Sequence, residues 1–328
     1  MTISAAELAG APVHPWVAEA QRTVRFSLVG AFLPGWAELR DFVQRAEDLG
    51  FDAYWANDHP SRSMDCWTQL AALAAVTTRI RIMALVSCVY YRSPALLARQ
   101  AADVDLVSGG RLVLGLGIGD DVGEFRQLGL EFPAVGERLD ALAETIEVTR
   151  RIWESPLTSD GRLHHLTGAH IRPGPVQQPR VPVLIGGGGE RTTLRLVARY
   201  ADMSNFGPHE WTGGAFGIKD VRRKCEVLRR HCEQIGRPFD SILRSHYTPL
   251  LTLAETRPAL ERKRAAARIP DAGLNTVPVF ATVDEAITHY QALVDAGMQY
   301  FLATVNGRDT ETVDLVAQRL LPALRVAR

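Results

Sequence analysis

The chain is poor in the features that would mark several common protein classes, and each shortage removes one of them. Lys plus Arg and Asp plus Glu number 37 each over 328 residues, and no block of like charge interrupts the sequence. A nucleic-acid-binding or membrane-surface protein would carry a basic stripe or patch, so neither partner is expected. No apolar run approaches the roughly 18 residues needed to span a bilayer. The first stretch, MTISAAELAGAPVHPWVAEAQR, lacks the basic start and continuous apolar core of a signal peptide, which points to a cytoplasmic address. There are only four cysteines, Cys66, Cys88, Cys225 and Cys232, with no C-x-x-C pair and no zinc-like spacing, so reduced buried thiols are expected rather than disulfides or a metal. The common nucleotide motifs are missing as well. GLGIGDDVG lacks the last glycine of G-x-G-x-x-G, and no G-K-S or G-K-T occurs.

What is present is a regular alternation. Apolar runs TVRFSLVGAF, DAYWAND, RIRIMALVSCV, RLVLGLGIG, VPVLIGGG, ADMSNFG, ILRSHYTPLL and MQYFLATVNG are separated by amphipathic segments, several of them closed by glycine. Eight strand-then-helix units predict an α/β fold, a (β/α)8 TIM barrel, with a doubly wound sheet as the structural alternative. The expected organisation is an N-terminal extension over 1–22 and a single barrel domain over 23–328. Insertions interrupt it at 120–136, at 157–180, where an Asp-Gly turn suggests a β-hairpin, and at the Arg-rich segment 255–278, a candidate lid.

In a parallel barrel the chemistry collects where strands end. Those ends read Asp58 and His59 after the second strand, Ser87, Cys88 and Val89 at the third, and Gly119, Asp120 and Asp121 after the fourth. Gly186, Gly187, Gly188 and Gly189 follow the fifth, Ser204 and Asn205 the sixth, and Arg244 and His246 lie on the seventh. Four bare residues at a helix entry let backbone amides turn toward an anion, although the same run also fits a tight turn with no ligand. A histidine that titrates near neutrality suits the proton movement that accompanies hydride transfer, which makes His59 the candidate and Asp58 the carboxylate expected to orient its ring. Arg191 and Arg195 fit either an anionic cofactor tail or a solvated helix face. His164, His165 and His170 in the hairpin read as surface residues, and His246 points either into the mouth or toward the helices.

Five ordered segments carry a family resemblance: LGFDAYWANDHP, CWTQLAALAAVTTRIRI, LVSCVYYRSPALLARQAADVDLVSGGRLVLGLGIGDDVGEF, GERLDALAETIEVTRRIW and VPVLIGGGGERTTLRLVARYADMSN. They resemble the bacterial-luciferase-like flavin and deazaflavin oxidoreductases over about 24–211, closest to the branch that depends on coenzyme F420. The resemblance implies an oxidoreductase passing hydride between F420 and a small, partly apolar organic substrate, and a homodimer. Its alternative is a two-component monooxygenase using reduced FMN from a partner flavin reductase; a barrel that binds flavin without catalysis is a third reading. It implies that Asp58 and His59 lie beside the ring and substrate. It also implies that Cys88 and Val89 form a bulge under the ring with a non-proline cis peptide, and that Gly188 and Gly189 donate amides to a cofactor phosphate. Sugar-phosphate dehydrogenases of that branch carry G-x-G-E after the fourth strand, with the glutamate as proton donor. Here the segment is GIGDD, which places Asp120 at that position with Asp121 and Glu124 as alternatives, and no tryptophan follows closely on His59, so sugar-phosphate recognition is not implied.

Overall fold

A computed structural model describes residues 12–161, 164–210, 213–267 and 277–326. Eight parallel strands close into a barrel: β1 (Arg25–Ala31), β2 (Ala53–Ala56), β3 (Arg81–Ala84), β5 (Leu112–Gly117), β8 (Val183–Gly186), β9 (Met203–Phe206), β10 (Leu243–Thr248) and β13 (Tyr300–Asn306). Closure is made by β3 pairing with β5, and the two-residue β4 (Ser87–Cys88) continues along β5. The expected barrel is therefore present with all of its strands. These strands are buried on both faces, which is why they read as near-continuous apolar runs.

Two cores result from the alternation of side chains along each strand. Inside the barrel Trp55, Met83, Val113, Leu184, Met203, Leu243, Tyr300 and Leu302 stack together. Outside it, Phe26, Leu28, Ile82, Leu114, Ile185 and Phe301 meet the helical layer. The floor of the barrel is closed by α1 (Pro15–Ala20), whose Trp16, Val17 and Ala20 join the inner core. Asp52 fixes that plug by accepting from Trp16 Nε1 at 3.0 Å, Arg25 Nη1 at 2.8 Å and the Tyr300 hydroxyl at 2.8 Å.

The helices that follow the first strands are α2 (Trp36–Asp48), α3 (Cys66–Val76) and α4 (Pro94–Ser108). Their starts are written in the sequence. Asp65 caps α3 by accepting from Thr68 N at 2.8 Å, and Ser93 followed by Pro94 opens α4, which Gly109 ends in the left-handed region. After β5 the chain forms the short α5 (Val122–Gln127) and the long α6 (Val135–Glu154). The hairpin excursion is β6 (Leu157–Asp160) against β7 (His165–Ala169), antiparallel as expected. Then come α7 (Thr193–Tyr200) and α8 (Ile218–Gln234). The Arg-rich insertion holds α9 (Arg257–Ala266), between β11 (Leu251–Ala254) and β12 (Val279–Thr282), which pair with each other. The rest of the lid expectation, 268–276, lies outside the described residues. Toward the C-terminus lie α10 (Val283–Asp295) and α11 (Thr310–Leu315), the latter continued by a π-helical turn (Val316–Leu320) and the short α12 (Leu321–Ala323). No helix among the described residues is long and apolar enough to cross a membrane.

Candidate active site

The C-terminal ends of the barrel strands form one mouth, and its polar groups fall into two linked clusters. The first centres on Asp58, whose side chain is fully buried. Its Oδ2 accepts from Ser87 Oγ at 3.0 Å and Cys88 N at 3.1 Å, and Arg92 clamps both carboxylate oxygens. Arg92 also reaches Asp65 at 2.9 Å, and Trp67 Nε1 donates to Ser87 Oγ at 3.1 Å. Asp58 is thus a keystone that ties the β2 end to β4 and the start of α4.

The second cluster holds His59, and here the structure corrects the sequence reading. Asp58 does not orient the His59 ring, because its oxygens are committed to Arg92, Ser87 and Cys88 and neighbouring side chains on extended chain diverge. Glu124 does so instead: its Oε2 lies 2.7 Å from His59 Nδ1 and 3.0 Å from the Tyr91 hydroxyl, while Oε1 accepts from Ser61 N at 3.1 Å and Ser61 Oγ at 2.7 Å. The Glu124 side chain has no exposed surface, whereas His59 retains 28% of its own. Burial opposes the charge on Glu124, but the hydrogen bonds from His59 and Ser61 outweigh it and hold the carboxyl at about 2. A carboxylate that stays ionised can only accept, so His59 Nδ1 carries the proton and Nε2 is the nitrogen left for substrate chemistry. Burial, with the nearby Cys88 and the hydrogen bond to Glu124, raises Tyr91, which keeps its hydroxyl proton on the tyrosine as a donor.

Local sequence explains how Glu124 arrives. Asp121 caps α5 by accepting from Gly123 N at 2.7 Å and Glu124 N at 3.0 Å, and it pairs with Arg62. The cap sets the first turn of α5 and brings Glu124 over the β2 end, a contribution of about 1 kcal/mol to helix placement. Asp121 is therefore occupied as a cap and ion pair rather than poised as an acid. Asp120 stays at the mouth, exposed to solvent.

The cis peptide expected at Cys88–Val89 is found instead at Leu85–Val86, three residues earlier. Val86 lies across the mouth between two strands: an added Cβ at Gly117 would sit 2.3 Å from its Cγ2, and one at Gly186 would sit 3.0 Å from its Cγ1. Bare glycine on β5 and β8 is what lets this valine form an apolar floor. Cys88 and Val89 are buried beside it, and burial pushes the Cys88 thiol up to about 12.

The glycine turn joins β8 to α7. Gly187 has φ +110°, a conformation that favours glycine, and its N–H donates to Asn205 O at 2.8 Å. Among the described residues, no acceptor pairs with the backbone N–H of Gly188 or Gly189. Both amides precede the first turn of α7, where the helix dipole favours an anion. Arg191 and Arg195 are exposed nearby on the chain.

Other sequence candidates lie elsewhere. His246 shares the outward face of β10 with Arg244 and Thr248, and Thr248 Oγ1 meets the Tyr290 hydroxyl of α10 at 2.9 Å. His246 is therefore turned toward the helices, where burial, with His289 adding, lowers it to about 3. Arg244 is likewise bound beneath the barrel wall, donating to Gly297 O at 2.9 Å. Ser204 and Asn205 are buried within β9, with Asn205 Nδ2 donating to Ser245 Oγ at 3.1 Å. His165 pairs with Asp160 on the exposed hairpin, and no cluster among the described residues could hold a metal. Sequence reasoning missed His209, a buried residue just after β9 whose ring meets Tyr247 edge-on at 5.9 Å.

A closed parallel barrel, a histidine–carboxylate pair at its mouth and an amide-lined turn at a helix entry define a barrel of the enzyme type, with a proton-moving group and donors suited to an anion at one face. The particular family follows from comparison: the luciferase-like monooxygenase pattern matches residues 11–248, and the chain belongs to that family, an enzyme of the luciferase-like oxidoreductase and monooxygenase group. It is 28% identical to the F420-dependent glucose-6-phosphate dehydrogenase of Amycolatopsis mediterranei (strain U-32), covering 88% of this chain and 94% of that protein. It is 32% identical to the enzyme of the same name from Kineococcus radiotolerans, over 69% and 68% of the two chains. Among solved structures, the coenzyme F420-dependent tetrahydromethanopterin reductase from Methanopyrus kandleri superposes with TM-score 0.76 at 18% identity, covering 93% of this chain and 100% of that one. The monooxygenase RslO1 from Streptomyces bottropensis superposes with TM-score 0.74 at 20% identity, covering 91% and 99%. At these identities the superpositions speak for the fold alone.

Proposed function

We propose that the protein is an F420-dependent oxidoreductase that exchanges hydride between the deazaflavin and a small, partly apolar organic substrate. The observation that carries the reading is the His59–Glu124 pair at the barrel mouth, with the amide turn of Gly188 and Gly189 at the end of another strand of the same mouth. The residues fit such a cofactor. Val86, with Cys88 and Val89 behind it, offers an apolar floor to a flat ring, and the Gly187–Gly189 turn with Arg191 offers donors and charge to a phosphate. When bound, F420 would supply or accept the hydride.

The chain's own residues then manage the proton. Glu124 fixes the His59 ring with Nδ1–H bonded to it, so Nε2 takes a proton from a substrate hydroxyl or returns one to a carbonyl oxygen. The imidazolium that forms is stabilised by the buried carboxylate, which the bonds from Ser61 help to keep ionised and to which Tyr91 also donates. Asp58 and Arg92 hold the β2 end and β4 together, which fixes the backbone that carries His59. Asp120 is an exposed second acid at the same rim. Two further features support a substrate other than a sugar phosphate. Asp120 stands where the sugar-phosphate enzymes carry glutamate, and no tryptophan follows closely on His59.

The test is turnover against panels of alcohols with oxidised F420 and of carbonyl and unsaturated compounds with reduced F420, followed by deazaflavin fluorescence. A redox change of the cofactor without oxygen uptake supports the proposal. Substrate-dependent oxygen uptake with reduced FMN, and none of this F420 turnover, would replace it with monooxygenation.

A further inference from the structure

A buried ammonium underlies the glycine turn, and the hydride chemistry above makes no use of it. Lys224, from the second turn of α8, is 3% exposed at its side chain, and its Nζ donates to Gly188 O at 2.7 Å. Its nearest carboxylate, Glu190 Oε1, stands 3.6 Å away and is shared with Arg223, whose Nε donates to it at 2.9 Å. One turn pair further along the same helix, His231 Nε2 donates to Glu190 O at 2.8 Å. Gly213 closes the turn from above, where an added Cβ would come within 2.5 Å of Gly188 C. The turn is thus held from one side by three basic residues of α8 and from the other by a bare backbone.

Taking an ammonium out of water is costly, and one carbonyl with a distant, shared carboxylate compensates for it only in part. A methionine would fill the same volume without that cost. Burial pulls Lys224 below its ordinary value, with Glu190 opposing, so an additional anion beside the turn would be stabilising. The geometry also sets the direction of the peptide groups. With Gly188 O drawn down onto Lys224, the N–H of Gly189 in the same trans peptide points the opposite way, and neither it nor the N–H of Gly188 has an acceptor among the described residues.

We infer that Lys224 is a positioning residue for the cofactor phosphate: it anchors the Gly188 carbonyl so that the Gly189 amide of the same peptide is presented to the anion, and it supplies positive charge from beneath. The inference rests on the reading that the glycine turn holds a phosphate. Glu190 is the counterweight in this arrangement, since its carboxylate draws on Arg223 and Lys224 that would otherwise serve the anion.

The experiment compares Kd values of wild type, K224M, K224R and E190Q for F420 and its phosphate-free deazaflavin riboside, and for FMN and riboflavin, which differ by the phosphate alone. K224M is expected to lose roughly tenfold or more for the phosphate-bearing member of the bound pair, with the phosphate-free member unchanged. K224R is expected to restore most of that loss, and E190Q, a half-exposed site that leaves the core intact, to tighten the phosphate-bearing form alone. A wild-type phosphate preference that survives K224M and E190Q unchanged, or an equal loss for both members, would overturn the role of Lys224. Wild-type protein that binds neither pair, or shows no phosphate preference, would instead overturn the reading of the turn itself.

Discussion

Replacing Glu124 by glutamine removes one charge and no volume, and the structure sets the size of the effect. Four contacts hold this carboxylate ionised, from His59 Nδ1, Ser61 N, Ser61 Oγ and the Tyr91 hydroxyl. Despite burial, the bonds from His59 and Ser61 lower its pKa from 4.5 to about 2. At about 1.4 kcal/mol per unit this is on the order of 3 kcal/mol of differential stabilisation. The sign follows from linkage: a carboxyl whose folded pKa is depressed contributes stability that is present above its unfolded pKa and lost as pH falls through the folded one. Wild type should therefore exceed E124Q by up to about 3 kcal/mol near pH 7, and more than half of that gap should have closed by about pH 3. Urea unfolding at the two pH values, followed by far-UV circular dichroism, reads both numbers. A gap that is the same at both would refute the reasoning, because the carboxylate would then not be held ionised by these partners.

Three other perturbations have definite expectations. His59→Ala should lower turnover by roughly 10² to 10⁴ with cofactor Kd little changed, and loss of binding alone would make His59 a ring contact. Arg92→Leu strands the buried Asp58 carboxylate and should cost about 3–5 kcal/mol in unfolding free energy, whereas a cost under 1 kcal/mol would show that Ser87 and Cys88 suffice to hold it. The four thiols are buried, and burial raises Cys66 well above its ordinary value, Cys88 to about 12 and Cys225 and Cys232 to about 11. Native protein near pH 8 should react with a disulfide reagent at least roughly 10²-fold more slowly than protein in denaturant, and prompt labelling of any native thiol would contradict its burial.

The barrel was legible because parallel strands sheathed by helices leave their mark locally. Each is a short apolar run, followed by an amphipathic segment whose cap, such as Asp65 or Ser93, stands in the sequence. The site was legible only in part. Asp58 and His59 lie adjacent at a strand end, but the carboxylate that serves His59 comes from 65 residues away, and its placement depends on the Asp121 cap. Adjacency in sequence suggested the wrong partner, since consecutive side chains on extended backbone point apart. The cis bond was displaced for a related reason: the motif located the β3–β4 bend but not which peptide within it lies against Gly117 and Gly186. Lys224 carried a signal that went unused. It falls on the apolar stripe of α8 with Val221, Cys225, Leu228 and Cys232, where a solvated lysine has no place.

The central claim is that the mouth of this barrel takes a deazaflavin and moves hydride. Equilibrium titration of the cofactor-free protein with F420 and with FMN, each oxidised and reduced, tests it most directly through fluorescence. The account predicts tight binding of F420 and at least tenfold weaker binding of FMN. Preference for reduced FMN would contradict it and would make the protein the oxygen-activating half of a two-component monooxygenase.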